Sequence, residues 1–352
     1  GPETSVDIPA ADWQSAATSW FATCAEVQPR KAFELSRISP RTCTTADRLT
    51  ERIVTSMASA EELSIREELT PPFEVREPLG NLTPFVFCSP HSGRIYPQCF
   101  LDQSRLDAMA LRRSEDCYVD ELFIRAASRG ATLLSARFPR AYIDANREPY
   151  ELDPELFVEP LPDWANARSV RVAGGLGTIA RIVSDGEEIY DGPLALSDAL
   201  LRIELLHKPF HAVLRSLLDR AQRNFGYAIL IDCHSMPSAH MAHAGVQRPD
   251  FVIGDRFGTS CDLRLTKLIR SIMTGLGYEA QLNRPYAGGY ITEHYGRPLR
   301  GVHAVQLEIN RGLYMDEKTL EKTPRFLSLE RDMLLFAKQL FAEAPALLER
   351  RS

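Results

Sequence analysis

The stretch LSDALLRIELLHKPFHAVLRSLLDRAQRNFG, residues 196–226, constrains the fold more than any other part of the chain. Its apolar residues recur at helical spacing along one face, and Gly226 supplies a stop. Directly after it, YAILID at 227–232 is a short apolar run, the pattern of a strand buried on both faces. A long amphipathic helix feeding a buried strand demands a sheet with helices packed on it. The alternation recurs along the chain. FVFCSPHSG (85–93) is a β-type run stopped by Pro90 and Gly93, and LDAMALRRSEDCYVDELFIRAASRG (106–130) is one helical stretch ended by Gly130. ATLLSARFPRAYIDANREP (131–149) holds one or two strands, with turn chemistry at Phe138-Pro139. CDLRLTKLIRSIMTGLG (261–277) reads as a helix, GVHAVQLEINR (301–311) as a strand and DMLLFAKQLFAEAPALLER (332–350) as a closing helix. Strands alternating with helices predict an α/β fold with helices on both faces of the sheet.

Residues 1–75 differ in pattern. WQSAATSWFATCAEV and TADRLTERIVTSMASAEELSIREEL have helical spacing and flank a basic, Ser/Pro-containing segment. They read as a helical N-terminal extension packed on a main domain at 76–352, because its Trp and Phe residues are costly to leave in water. The extension is a candidate for shaping the site or an oligomer contact.

Composition narrows the class. Among 352 residues, 41 basic against 47 acidic side chains give a net charge of −6, which excludes a general nucleic-acid surface. No apolar run reaches the ~20 residues that span a bilayer. Seven cysteines without paired spacing point to a reducing, cytoplasmic compartment rather than a disulfide framework. The chain opens Gly-Pro in place of an initiator Met, so a removed leader stays open.

In α/β sheets, sites form where loops leave the C-terminal ends of strands. Three strand ends carry polar groups that a core would not choose: His91 after FVFCSP, Asp232, His234 and Ser235 in ILIDCHSM, and Glu308 in VQLEI. Glu115, Asp116 and Asp120 lie near a helix start in RRSEDCYVDELF. Two histidines and a carboxylate from separate loops, with another carboxylate kept free, can make a catalytic zinc site. Asp232 could orient His234 as its outer partner. Each residue alone also has the look of a hydrogen-bonded structural side chain. Glu308 is costly to bury unless paired or functional, and Arg311 is a candidate partner. Arg137, Arg140 and Arg147 are either a surface charge pattern or a carboxylate-binding cluster. Gly288 to Tyr290 form a flexible GGY loop able to close over a small substrate. Ser235 lacks a GxSxG elbow, no cysteine shows CxxC spacing, and GGLG (174–177) lacks the lysine of a phosphate loop, so all three are set aside.

Taken together, PHSG, SEDCYVDELF, RFPRAYIDANR, DCHSM, GGYITEHYG and VQLEINRGLYMDE resemble the N-formylglutamate amidohydrolase (deformylase) family over roughly residues 80–340. The resemblance implies a three-layer α/β/α fold with a central mixed sheet, related to the zinc carboxypeptidases and aspartoacylase. It implies hydrolysis of an N-acyl amide, typically N-formyl-glutamate, with one zinc ion. His91 and His234 match the metal-site histidines. The carboxypeptidase relatives take a carboxylate three residues after the first histidine, where this chain has Arg94. Asp116 is the implied replacement, with Glu115 the runner-up. Glu308 matches the general base, and Asn146 and Arg147 match a pair that grips the substrate carboxylate. Arg140, Tyr290, Glu293 and Arg311 complete the implied substrate site. Glu293 stands where many members carry arginine, so it either pairs with Arg311 or marks a different substrate group. A peptide amidase or carboxypeptidase, and a non-catalytic binder, are the alternatives on the same fold.

Overall fold

The computed structural model describes residues 58–183, 186–238 and 249–348. The helical segments expected before residue 58 lie outside them. Seven strands form one sheet: β1 (Phe73–Arg76), β2 (Phe85–Ser89), β3 (Thr132–Ala136), β4 (Ala228–Met236), β5 (Phe251–Gly254), β6 (Ala280–Leu282) and β7 (Val302–Asn310). Their spatial order is β1-β3-β2-β4-β7-β5-β6. β3, β2, β4 and β7 run parallel to one another, while β1 and β5 pair antiparallel with β3 and β7. The sheet is therefore mixed, as the resemblance implied.

The longer helices are α1 (Ala60–Glu68), α2 (Val119–Ala127), α3 (Leu196–Arg202), α4 (Lys208–Phe225), α5 (Leu263–Gly275) and α6 (Phe326–Leu348). Strand side chains alternate between faces, and the two cores follow that alternation. Val86, Leu230 and Ala304 pack with Ile65 of α1, Ala199 of α3 and Phe210, Leu214 and Leu217 of α4. Phe87, Ile229, Ile231 and Leu307 pack with Phe123 of α2, Ile269 of α5 and Met333 and Phe336 of α6. The result is a helix–sheet–helix sandwich.

Two elements differ from the sequence expectation. The helix expected across 106–130 is two, Ala108–Arg112 and α2, because the chain leaves the helix between them. There the Asp116 N–H donates to the His91 carbonyl at 3.0 Å, and Tyr118 takes a left-handed φ of 63°. The helix expected from 196 to 225 is continuous in direction but widens to a π turn at Ile203–His207. Pro209, just beyond, has no N–H to give the preceding turn. Gly226 closes α4 at φ 80°, in the conformation that favours glycine.

A boundary at residue 75 falls inside β1, whose register runs Phe73↔Ala136 to Arg76↔Leu133. Just before it, Glu61 of α1 ion-pairs with the fully buried Arg202 of α3. The Arg202 guanidinium lies 4.1 Å from the Tyr142 ring centroid and donates to the Tyr190 hydroxyl at 2.9 Å. Removing one member of such a buried pair costs about 3–5 kcal/mol.

Candidate metal centre at the strand ends

The two longest strands, β4 and β7, lie side by side with Leu230 opposite Ala304, Asp232 opposite Gln306 and His234 opposite Glu308. Because side chains alternate, this even-numbered set projects from one face. Nearer the strand starts that face is apolar, with Leu230 and Ala304; beyond them it carries four polar side chains. Cys233, between Asp232 and His234, faces the opposite core. β4 runs through His234 to Met236, four residues past the Asp232 end expected from the sequence.

His91, after β2, and Asp116, in the break before α2, complete the cluster. The Asp116 Oδ2 atom lies 3.0 Å from His234 Nδ1 and 3.3 Å from His91 Nδ1. Donor atoms of His91, Asp116 and His234 all fall within 4.8 Å of one another, and all three residues are buried. Burial opposes ionisation of Asp116, but its contacts with His234 and His91 outweigh this and hold the carboxyl well below its usual range. Glu115 is turned away, accepting from Tyr96 at 2.8 Å and Arg112 at 3.1 Å. Arg94 is likewise engaged elsewhere, on Asp120 and Glu121.

Each imidazole is held from its far edge. His91 Nε2 donates to Asp144 Oδ1 at 2.7 Å. His234 Nε2 lies 2.9 Å from Asp232 Oδ1, off the line of a hydrogen bond, and 3.1 Å from Asn146 Nδ2. Both Nδ1 atoms are thereby turned toward Asp116. His91 Nδ1 is buried without a hydrogen-bond partner, which is costly for a polar atom unless something else meets it. Two imidazole nitrogens and one carboxylate oxygen, braced by outer carboxylates, suit a divalent cation.

Glu308 stands beside His234, and its Oε1 accepts from Gln306 Nε2 at 2.7 Å. Burial raises the Glu308 carboxyl to about 7, with His234 opposing the shift and Asp116 adding to it. Gln306 also accepts from the Gly289 N–H at 2.7 Å, and Asn146 Oδ1 accepts from the Ile291 N–H at 2.7 Å. The GGY loop is thus pinned to the cluster from two sides.

A cavity of about 500 Å3 opens over these groups. Its wall includes His91, Asp116, His234, Glu308, Arg140 and Arg147. Arg140 bonds Asp144 Oδ2 at 2.9 Å, and Arg147 donates to the carbonyls of Leu176 and Asn146 at 2.9 Å each. The GGLG segment set aside in the sequence supplies wall at Leu176 and Gly177. Asn146 reaches the cluster with both amide atoms already bonded to protein. The pairing of Glu293 with Arg311 does not occur. Arg311 is buried and spends its fork on Ser235 Oγ, Asp116 Oδ1 and the carbonyls of Arg113 and Glu115. Glu293 instead pairs with Arg256 at 2.8 Å. Tyr290 packs on the rings of His294 and His211, with centroids at 5.0 and 5.5 Å, outside the cavity wall. Ser235 donates to Asp116 at 2.9 Å and supports it. Sequence reasoning missed the link between Asp144 and His91, the part of Gln306 and that of Arg256. Only Gln306 had a signal, a polar residue of Glu308's parity in an apolar strand.

The fold and cluster together define an α/β protein with a candidate hydrolytic centre at its strand ends. A family model described as N-formylglutamate amidohydrolase matches residues 83–315. Over 238 residues the chain is 32% identical to an N-formylglutamate deformylase of Pseudomonas putida, covering 66% of this chain and 82% of the relative. A second N-formylglutamate deformylase, from Pseudomonas aeruginosa, is 31% identical over 240 residues, covering 67% and 83%. The crystal structure of N-formylglutamate amidohydrolase from Ralstonia eutropha JMP134 matches with a TM-score of 0.73 at 35% identity, covering 77% of this chain and 97% of that one. The chain belongs to the N-formylglutamate amidohydrolase family, and with it to the hydrolases of amide bonds.

Proposed function

We propose that this enzyme hydrolyses the N-acyl amide of a small N-acyl amino acid, N-formyl-glutamate first among them. A single zinc ion would be held by His91, Asp116 and His234. Bound there, zinc would supply Lewis acidity toward water and an acyl carbonyl. The protein's own groups do the remaining work. Glu308 takes a proton from the attacking water and returns it to the leaving amine nitrogen. Arg147, with Arg140 behind it, anchors a substrate carboxylate. Asp144 and Asp232 hold the two imidazoles, Arg311 holds Asp116, and Asn146 ties the GGY loop to His234. A cytoplasmic setting agrees with the free cysteines at 88, 99, 117, 233 and 261. No described helix is long and apolar enough to cross a membrane.

The observation that carries this reading is the convergence of His91 Nδ1, Asp116 Oδ2 and His234 Nδ1 beside a buried Glu308, at the wall of one cavity. The test pairs metal analysis with turnover of N-formyl-glutamate. His234→Ala should lose both zinc and activity. Glu308→Gln should keep zinc and lose about 10²–10⁴-fold in turnover. Near-full activity of Glu308→Gln would remove the general base, and stoichiometric zinc in His234→Ala would refute the ligand set.

A further inference from the structure

Five arginines line the cavity: Arg140, Arg147, Arg171, Arg256 and Arg311. Arg311 is saturated by protein acceptors, Arg140 sits on Asp144, and Arg171 leans toward the buried Glu151 at 3.7 Å. Arg256 is different, because its backbone is strained and firmly held. Arg256 and Phe257 take φ of 53° and 56°, a left-handed conformation that side chains with a Cβ rarely adopt. Two consecutive residues persist in it only where the surroundings over-determine them.

Those surroundings are visible. The Arg256 N–H donates to the Ala287 carbonyl at 2.8 Å. Asn283 Oδ1 accepts from the N–H groups of Asp255 and Phe257 at 3.0 and 3.2 Å. The buried Asp255 accepts from Asn283 Nδ2 at 2.7 Å, Gly258 N–H at 2.9 Å and Thr266 Oγ1 at 2.9 Å. A Cβ at Gly288 would lie 3.2 Å from Arg256 Cδ, so the arginine stem crosses the GGY loop at its glycine. At the head, Arg256 Nη2 meets Glu293 Oε2 at 2.8 Å and Nη1 donates to the Gly288 carbonyl at 3.3 Å. A guanidinium has five N–H donors, so these contacts leave others to spare. The Glu293 side chain is 56% exposed and outside the cavity wall, whereas Arg256 is 32% exposed and part of it.

We propose that Arg256 is a specificity-determining residue, receiving a second carboxylate of the substrate distinct from the one at Arg147, and that Glu293 is a positioning residue for its guanidinium. This rests on the amide-hydrolase reading above. Glu293 takes one edge of the fork and fixes its plane, so a carboxylate arriving from the cavity meets a preset pair of donors.

The test compares kcat/KM for N-formyl-glutamate and N-formyl-glutamine, which match in shape and differ in the side-chain charge. Wild type should prefer the glutamate compound. Arg256→Gln should shrink that preference by about tenfold to a hundredfold, with the glutamine compound losing far less. Arg256→Lys keeps a stem across Gly288 and a point charge, so it should fold and fall between the two. Glu293→Gln should raise KM for the dicarboxylate alone and leave its kcat nearly unchanged. A wild-type preference retained in both Arg256 variants, or an equal loss on both compounds, overturns the proposal. Equal hydrolysis of the two compounds by wild type overturns it too and spares the amide-hydrolase reading. Hydrolysis of neither overturns both.

Discussion

Asp144→Asn isolates the contribution of a residue that touches the metal centre only through His91. The carboxylate accepts three bonds: from His91 Nε2 at 2.7 Å and the Asn146 N–H at 2.8 Å on Oδ1, and from Arg140 at 2.9 Å on Oδ2. All three partners are donors, and the site is buried. Burial opposes the charge on Asp144, yet His91, Arg140 and Arg147 together hold its carboxyl well below the usual range. An amide of the same shape keeps one acceptor oxygen and must turn an NH2 group toward a donor. If the oxygen stays on His91, Arg140 loses its partner and the His91 bond loses its charge assistance, roughly half its strength. Outer partners of this kind are worth about 10–100-fold in metal affinity, or about 1.4–2.8 kcal/mol. Titrating zinc away with a competing chelator at neutral pH measures this directly. The expected variant is folded, binds zinc about 10–100-fold more weakly and recovers turnover as zinc is added. Zinc affinity within twofold of wild type, in a folded variant, would refute the account of how His91 is aimed.

Two further outcomes follow from groups farther out. His207 is buried with its ring on the Arg147 carbonyl at 2.9 Å, and burial lowers its pKa to about 4. Its folded pKa lies below the ordinary ~6.5, so its contribution to stability is whole above pH ~6.5 and is lost as pH falls toward 4. That loss approaches roughly 3 kcal/mol. Urea unfolding of wild type and His207→Gln across that range should show a shallower pH slope in the variant; parallel slopes would refute it. Gly289→Ala places a Cβ 2.5 Å from Asn146 Nδ2 and 2.8 Å from its Cγ, though Gly289 has an ordinary φ of −87°. Overpacking should cost about 1–3 kcal/mol in melting experiments, while displacing Asn146 should cut turnover about a hundredfold. Full activity would show that Asn146 does not tie the loop to His234.

Much of this arrangement was legible because strands encode faces. Asp232 and His234 share parity in ILIDCHS, as do Gln306 and Glu308 in VQLEI, and the two strands need only be neighbours for the four to meet. Cys233, set aside for want of CxxC spacing, has the opposite parity and faces the other core. The helix break at Asp116 was hidden because apolar spacing continues across it. What ends the helix is a bond to the His91 carbonyl, which no local propensity records. Asp144 is 53 residues from His91, and their contact depends on the whole parallel sheet. Arg311 read as a partner for Glu308 or, through the family resemblance, as part of the substrate site; its acceptors come from residues 113–116 and 235. Arg256 gave no sign at all, since its backbone strain is a property of the folded turn.

The ion pair between Glu61 and Arg202 bears on where this molecule can be cut. The stretch that matches the family begins at residue 83, yet Arg202 inside it depends on a carboxylate from residue 61. Phe73, on the sheet's edge strand, and Ile65 and Leu69 add to the same core. At the other end, Met333, Phe336 and Leu340 of α6 close the opposite face from beyond residue 315. Trimming the gene to its recognisable region would leave a guanidinium without its counter-charge in the interior and strip both faces of the sheet. The smallest piece able to fold is therefore larger than the smallest piece able to be recognised.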